Sequence, residues 1–316
     1  MIIADSPGLL SKYHHDICSF SAADLSHIKK PGLDAPDIEV IKALFPGKTL
    51  HIANASDREF PNHEFYLESS ESSRFDLMVK LSRKLNINSS IAVFTGKAKG
   101  FHGFRERPWE AESGNLHMTL HINPQRHIPA FGAQFLMLAA VAACEAVNSF
   151  EGLREKSRIK WVNDILIGNS KIGGVIAHSQ SMGTKTGSVV LGIGINVNSS
   201  PNVERDSWVP AVSSIKDNID YDDGQLLSRL KSALLENLGY CYGLIISGKA
   251  DKLYRAYLSN SAAIGREVMI TSDPREGTPS TIAEGILEKI GPELELYLRG
   301  IDKPLRSGRM IFKNPN

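Results

Sequence analysis

Residues 158–178 read RIKWVNDILIGNSKIGGVIAH, and LGIGINVN follows at 191–198. A charged Lys160-Trp161-Val162-Asn163-Asp164 run leads into the apolar triplet Ile165-Leu166-Ile167. Gly168-Asn169-Ser170 has the composition of a turn, and Lys171 then enters a second run through Gly173-Gly174. Two short apolar runs around such a turn predict a β-hairpin. Its ends carry polar groups able to hold a phosphate or a metal, beside an apolar wall. Gly173 and Gly174 suit a place where a ligand approaches the backbone closely.

Outward from this hairpin the chain alternates. Strands are expected at 64–69, 90–95, 115–122 and 187–197, helices at 72–85, 131–149 and 223–247, and a charged loop at 96–113. Before residue 64, Pro31, Pro36, Pro46 and Pro61 break the pattern around a short helix at 37–44 and a strand at 49–53. After Ser261 come four short β-like runs, 267–271, 281–288, 293–299 and 308–312, punctuated by Gly and Pro, which suggests a small β-barrel or sandwich. The reading is an α+β protein: a mixed β-sheet with flanking helices plus a small C-terminal β-barrel. The expected divisions are an N-terminal extension (1–63), a central domain that carries the hairpin (64–258) and a C-terminal domain (259–316).

Composition excludes little. The 316 residues are 42% hydrophobic and 22% charged with a formal net charge of +1, so bulk charge gives no reason to expect nucleic acid. Cys18, Cys144 and Cys241 lie far apart without metal-ligand spacing, as expected of reduced thiols in a cytoplasmic protein. The apolar stretch 135–147 reads as a buried helix too short to span a bilayer. His117 and His121 fall on one strand face beyond easy chelation, and His14-His15 has no partners in sequence. Arg154, Lys156, Arg158 and Lys160 read as a mostly solvated loop.

The hairpin resembles the active-site hairpin of biotin protein ligases, whose pattern is Lys-Trp-Pro-Asn-Asp, a short turn, then Lys-x-x-Gly. Gly192-Ile193-Gly194-Ile195-Asn196 is similar to the strand lining that family's nucleotide site, and it lacks the third Gly of a dinucleotide fingerprint. Residues 96–115, GKAKGFHGFRERPWEAESGN, resemble the family's ligand-ordering loop and the strand after it. Glu71-Ser72-Ser73-Arg74 lies where the family has Asp-Ser-Thr-Asn, and Pro210–Ile215 resembles the segment before its long helix. The 264–268, 284–286 and 308–310 motifs resemble its small C-terminal barrel.

The resemblance implies a class II biotin/lipoyl synthetase-like fold with an SH3-like C-terminal barrel, and the activation of biotin by ATP and Mg²⁺ to biotinyl-5′-AMP before transfer to a carrier lysine. Two anions must meet in the first step, so cations must converge on one pocket. By resemblance, Lys171 neutralises charge at the reacting centre, Arg107 and Arg105 contact phosphate, and Lys160 adds charge nearby. Asp164 orients or deprotonates the incoming lysine, and with Asn163 it holds ATP phosphates or Mg²⁺. Trp109 packs near adenine, beside Gly103 and Asn115. Gly173, Gly174, Gly192 and Gly194 leave room for ligand, Asn196 supplies an amide, and Ser72 or Ser73 caps a helix and reaches the ureido ring. Phe101, His102, Phe104, Glu106 and Ala98 depart from the family's loop, implying a stiffer, less cationic one. The expected partner is the biotin carboxyl carrier domain of a biotin-dependent carboxylase, docking on sheet edges, with neither membrane nor nucleic acid. The oligomeric state stays open. The alternatives are a lipoate or other acyl ligase on the same fold, and a regulator that binds ligand without transfer.

Overall fold

The computed structural model describes residues 1–14, 21–23, 32–53, 60–103, 106–182, 185–202, 211–221, 224–273 and 278–313. Its centre is a mixed sheet in the order β2-β3-β1-β4-β5-β6-β10-β9-β8-β7. In chain order these strands are β1 (Ile2–Ala4), β2 (Ser21–Ala23), β3 (Leu50–Ala53), β4 (His63–Ser70), β5 (Ile91–Ala98), β6 (Leu116–Ile122), β7 (Ser157–Lys160), β8 (Asp164–Ile167), β9 (Ser170–Met182) and β10 (Lys185–Ile195). The helices are α1 (Pro7–Tyr13), α2 (Ala35–Leu44), α3 (Arg74–Lys84), α4 (Phe131–Asn148), α5 (Leu226–Ile246) and α6 (Ala250–Ser259). A second, antiparallel sheet, in the order β13-β12-β11-β14, is built from β11 (Glu267–Thr271), β12 (Thr281–Ile290), β13 (Leu296–Leu298) and β14 (Arg309–Phe312).

Local chemistry sets the helix starts. Asp34 and Asp37 form a reciprocal capping box at α2, with a proline in the first turn. Ser73 caps α3 by accepting from the Asp76 N–H at 3.1 Å, and Arg83 and Lys84 sit in the last turn, where the helix dipole favours cations. Helix α4 is long and apolar enough to cross a membrane, longer than the stretch read from the sequence. Phe135, Leu138, Ala142 and Val147 are nevertheless fully buried, so it is the central core helix. Helix α6, which the sequence reading passed over, buries Leu253 and Tyr257, one turn apart, in the same core.

The two faces of the sheet are covered differently. Helices α1, α4, α5 and α6 pack with Tyr66, Leu191, Ile193, Ile165 and Ile172 on one face. On the other, α2 and α3 pack with Ile3, Phe65, Leu67, Val93 and Val190. The strands beyond, on this second face, are roofed instead by residues 101–103 and 107–110 and by the C-terminal sheet, which leaves a hollow.

Strands β1, β2 and β3 join the sheet. Strand β1 pairs parallel with β4 and antiparallel with β3, which pairs with β2. A buried polar group anchors this part: the Tyr66 hydroxyl donates to Glu64, His14 lies 2.8 Å from Tyr66, and Lys231 Nζ lies 3.7 Å from Glu64. At the opposite edge, the Ile159 N–H donates to the Asn260 carbonyl and the Ala262 N–H donates to the Ile159 carbonyl, both at 2.8 Å. The β7 edge, one of those considered for carrier docking, is therefore occupied at Ile159 by the chain itself.

Candidate active site

One register row runs across five strands: Lys160 on β7, Asp164 on β8, Gly174 on β9, Gly194 on β10 and His117 on β6 are successive cross-strand partners. Directly opposed residues point to the same face, so charges stand at one end of the row, an imidazole at the other, and two glycines form the floor between. The hollow above encloses about 690 Å³, within the range of small-molecule sites.

A slip of register supplies the central cation. Ile165 faces Gly173, yet Leu166 faces Lys171, so β9 carries one extra residue there. Such a bulge re-aims the side chains beyond it. It puts Lys171 on the same face as Asp164, and Lys171 Nζ lies 2.6 Å from Asp164 Oδ1. The Lys171 backbone is pinned by the Ala211 carbonyl and the Ser213 N–H. Burial by itself would raise the Asp164 carboxyl, but Lys171, then Lys160 and Arg107, outweigh it and hold the group below its ordinary range. Burial pushes the Lys160 amine down, and Lys171, Arg309 and Arg107 push it the same way against Asp164. Lys160 is only 9% exposed and belongs to a strand, which corrects its reading as part of a solvated loop.

Trp109 lies over Gly194, where an added Cβ would sit 2.7 Å from the indole. Its Nε1 donates to His117 Nδ1 at 3.4 Å, and His117 Nε2 donates to the Glu112 carbonyl at 3.0 Å. Burial drops the His117 pKa to about 4, so the ring is neutral and has the tautomer these bonds require. Lys171 Nζ is 5.8 Å from the Trp109 ring centre. Two of the departing residues, His102 and Phe101, have their own partners. His102 Nε2 lies 2.9 Å from Asp76 Oδ2, and Phe101 meets His117 edge-on. Burial opposes protonation of His102, but Asp76, the Gly103 carbonyl and Glu106 outweigh it and raise the ring's pKa.

Of the residues singled out in the sequence, Lys171, Asp164, Arg107, Lys160, Ser73, Gly103, Trp109, Asn163, Gly174, Gly192, Gly194 and Asn196 line the hollow. Ser72 does not: it is exposed, and its hydroxyl accepts from Arg74 at 2.6 Å. Asn115 does not line it either. It is fully buried, and its Oδ1 accepts from the N–H groups of Val197, Asn198 and Ser199, clasping the turn after β10. At Gly173 an added Cβ would meet the Gly194 carbonyl at 2.7 Å, so this glycine serves strand packing rather than the hollow. Arg105 and Phe104, like Cys18, lie outside the described residues. Asn163 donates its amide to the Val175 carbonyl and so fastens the β7–β8 turn. Asn196 keeps a buried Oδ1 without a protein partner and lines the hollow, as a ligand-facing amide does.

The sequence reading missed His117, Phe75 and the C-terminal wall of Arg306, Ser307, Gly308, Arg309 and Met310. The alternation of β6 put His117 on a definite face, but not on which one. Among the described residues no group of three His, Cys, Asp or Glu could hold a metal ion. Asp164 is already ion-paired, so the donor set does not fit a resident metal centre.

Residues 75–196, which carry most of the sheet beneath the hollow, match the family model described as Biotin/lipoate A/B protein ligase family. More particularly, the chain resembles biotin protein ligases. It is 29% identical over 177 residues to the Bifunctional ligase/repressor BirA of Bacillus subtilis, covering 55% of this chain and 49% of that protein. It is 28% identical over 207 residues to a Biotin--[acetyl-CoA-carboxylase] ligase of Paracoccus denitrificans, covering 63% and 79% respectively. The chain thus spans about half the length of the Bacillus relative. In fold it is similar to the biotin protein ligase of Aquifex aeolicus in complex with biotin and ATP, with a TM-score of 0.57 at 17% identity over 79% of this chain and 98% of that one.

Proposed function

We propose that this protein is a cytoplasmic biotin protein ligase: it condenses biotin with ATP to biotinyl-5′-AMP and passes the biotinyl group to a lysine of a carrier protein. The observation that carries this reading is the cationic end of the row, where Lys160 and Lys171 flank the carboxylate of Asp164 above a glycine floor. The names of the Bacillus and Paracoccus relatives support biotin as the acid. Residues 64–258 form the catalytic domain in this reading and 259–316 the C-terminal domain, while β1, β2 and β3 of the N-terminal extension (1–63) add to the catalytic sheet.

In the first step a carboxylate oxygen of the acid attacks the α-phosphorus of ATP, and the bond to pyrophosphate breaks. Lys171 and Arg107 offset the charge that accumulates there, which costs less in a partly enclosed site than it would in water. ATP brings Mg²⁺ as its own complex, in keeping with the sparse protein ligands usual for that ion. In the second step the carrier amine attacks the acyl carbon, the bond to AMP breaks, and Asp164 takes the amine proton. A nearby positive field favours the neutral, nucleophilic form of an incoming lysine. Trp109, with Phe101, His102 and Pro108, shelters the mixed anhydride from water. The partner is then a biotin carboxyl carrier domain of a biotin-dependent carboxylase.

The test is a mass shift on a carrier domain incubated with the protein, MgATP and competing acids. Addition of biotin alone supports the reading. Addition of lipoate or octanoate instead makes the chain an acyl ligase of another specificity, for which the Phe101, His102 and Glu106 departures are the natural cause. Tight acid binding with neither ATP–pyrophosphate exchange nor transfer makes it a regulator.

A further inference from the structure

The C-terminal sheet reaches into the hollow with more than a wall. Asp273, two residues beyond the end of β11, is only 3% exposed, and its Oδ2 lies 3.1 Å from a terminal nitrogen of Arg107. The two residues are 166 apart in sequence, and Arg107 itself lines the hollow at 40% side-chain exposure. The buried end of this pair therefore belongs to the C-terminal sheet and the working end to the catalytic domain.

Electrostatics gives the pair a task. Lys160, Lys171 and Arg309 all face the hollow near Arg107, and the charges of Arg107 and Arg309 depress the Lys160 amine. An unrestrained guanidinium would swing from these cations toward water, where its solvation is best. The Asp273 carboxylate holds it in, and a guanidinium has donors to spare for an anion while one nitrogen is engaged. The anchor is rigid relative to the row. Trp161 Nε1 donates to the Leu294 carbonyl at 2.7 Å, and Tyr257 donates to the Val162 carbonyl at 2.9 Å, which fixes the β7–β8 turn to the second sheet and to α6. Thr271, the last residue of β11, pairs with Arg309 of β14, so both charged groups come from the same end of that sheet.

We propose that Asp273 is a positioning residue: it holds Arg107 where the polyphosphate of the nucleotide binds, so that the C-terminal sheet sets the nucleotide affinity of the catalytic domain. This rests on the adenylation reading above. Without the anchor the guanidinium must be ordered at the moment of binding, which weakens the nucleotide and leaves the acid pocket alone.

The experiment is biotin-dependent ATP–pyrophosphate exchange by the full chain and its Asp273→Asn, Asp273→Ala, Arg107→Ala and Asp273→Ala/Arg107→Ala variants. The expected result is a KM for MgATP raised roughly tenfold in Asp273→Ala, in keeping with loss of a charge-assisted hydrogen bond, and less in Asp273→Asn. The KM for biotin stays within twofold, and Asp273→Ala adds nothing further once Arg107 is alanine. A merely structural carboxylate would impair both backgrounds equally and shift both KM values. That additivity, or an unchanged KM for MgATP in Asp273→Ala, overturns the proposal. Should the alanine variant not fold, the isosteric asparagine carries the same comparison. Exchange by the wild type that is independent of biotin defeats the adenylation reading itself, whereas normal wild-type exchange with unaffected variants defeats only the role of Asp273.

Discussion

Replacing Lys171 with alanine removes the cation that the β-bulge brings over the glycine floor. Opposite unit charges 4 Å apart attract by about 4 kcal/mol at an effective dielectric constant near 20. Lys171 keeps 27% of its side-chain surface exposed, so solvent screens part of this, and ~2–3 kcal/mol is a fair share for the transition state. That corresponds to roughly 30- to 150-fold in rate. A second effect follows. Lys171 is the largest of the influences that lower the Asp164 carboxyl, so in its absence burial moves that carboxyl upward. Transfer to the carrier in Lys171→Ala should then fail at a higher pH than in the wild type, because Asp164 is protonated sooner. Biotin-dependent exchange and carrier biotinylation, each measured from pH 5.5 to 8.5, read both effects, with Lys171→Arg as the variant that keeps the charge. A Lys171→Ala protein that retains more than a third of wild-type exchange, at unchanged KM, would falsify the assignment.

Three further perturbations probe other parts of the molecule. Gly194→Ala puts a methyl group 2.7–2.9 Å from the Trp109 indole. The ring must tip, at a cost of ~1–3 kcal/mol, and calorimetry should show weaker nucleotide binding; unchanged affinity would mean that Trp109 plays no part. Asn115→Ala strips the acceptor from three backbone N–H groups. The unfolding midpoint in urea should fall by an amount equivalent to ~1–3 kcal/mol, with catalytic constants nearly intact in the folded fraction, and a selective loss of nucleotide affinity would count against the clasp. Stability should also decline as the solution is acidified. Burial keeps His117 and His121 neutral in the folded protein down to about 4, whereas the unfolded chain protonates them below 6.5. Glu64, which burial would raise, is lowered to about 2 by His14, Lys231 and Tyr66, so the unfolded chain takes its proton from 4.5 downward while the folded one does not. In both windows the unfolded state binds more protons, and stability falls with pH. Urea midpoints at pH 7.5, 5.5 and 4.0 should decrease in that order, and Glu64→Gln should flatten the most acidic part. A midpoint independent of pH between 4 and 7.5 contradicts the reasoning.

Much of this architecture is written locally in the chain. The apolar runs at β4, β5, β6 and β10, the Ser73 cap and the apolar length of α4 declare themselves within a window of a few residues, because propensity and periodicity are short-range properties. The hairpin expected within 158–180 was legible for the same reason, and Lys171, Asp164 and Gly174 within it are the residues on which the proposed chemistry rests. Residues 1–4 offer only a three-residue strand, however, and its parallel pairing with β4 depends on a partner some sixty positions away. Strand β7 was hidden because Arg158 and Lys160 mark it as solvated, and only the packing of Phe312, 5.5 Å from Lys160 Nζ, with Asp164 nearby makes that burial tolerable.

The order of residues along the chain supplies the groups that the proposed chemistry needs: a lysine, an aspartate and glycines in a hairpin, with an arginine in a loop. Which face they share is set by how the strands pair. In an unbroken strand Lys171 would point away from Gly174, because side chains alternate with a period of two. The extra residue of β9, opposite the Ile165–Leu166 step, reverses that, and a register slip is a property of two strands together. Asp273 could not be assigned from the chain for a similar reason. Its meaning depends on where a second sheet comes to rest, and packing sets that.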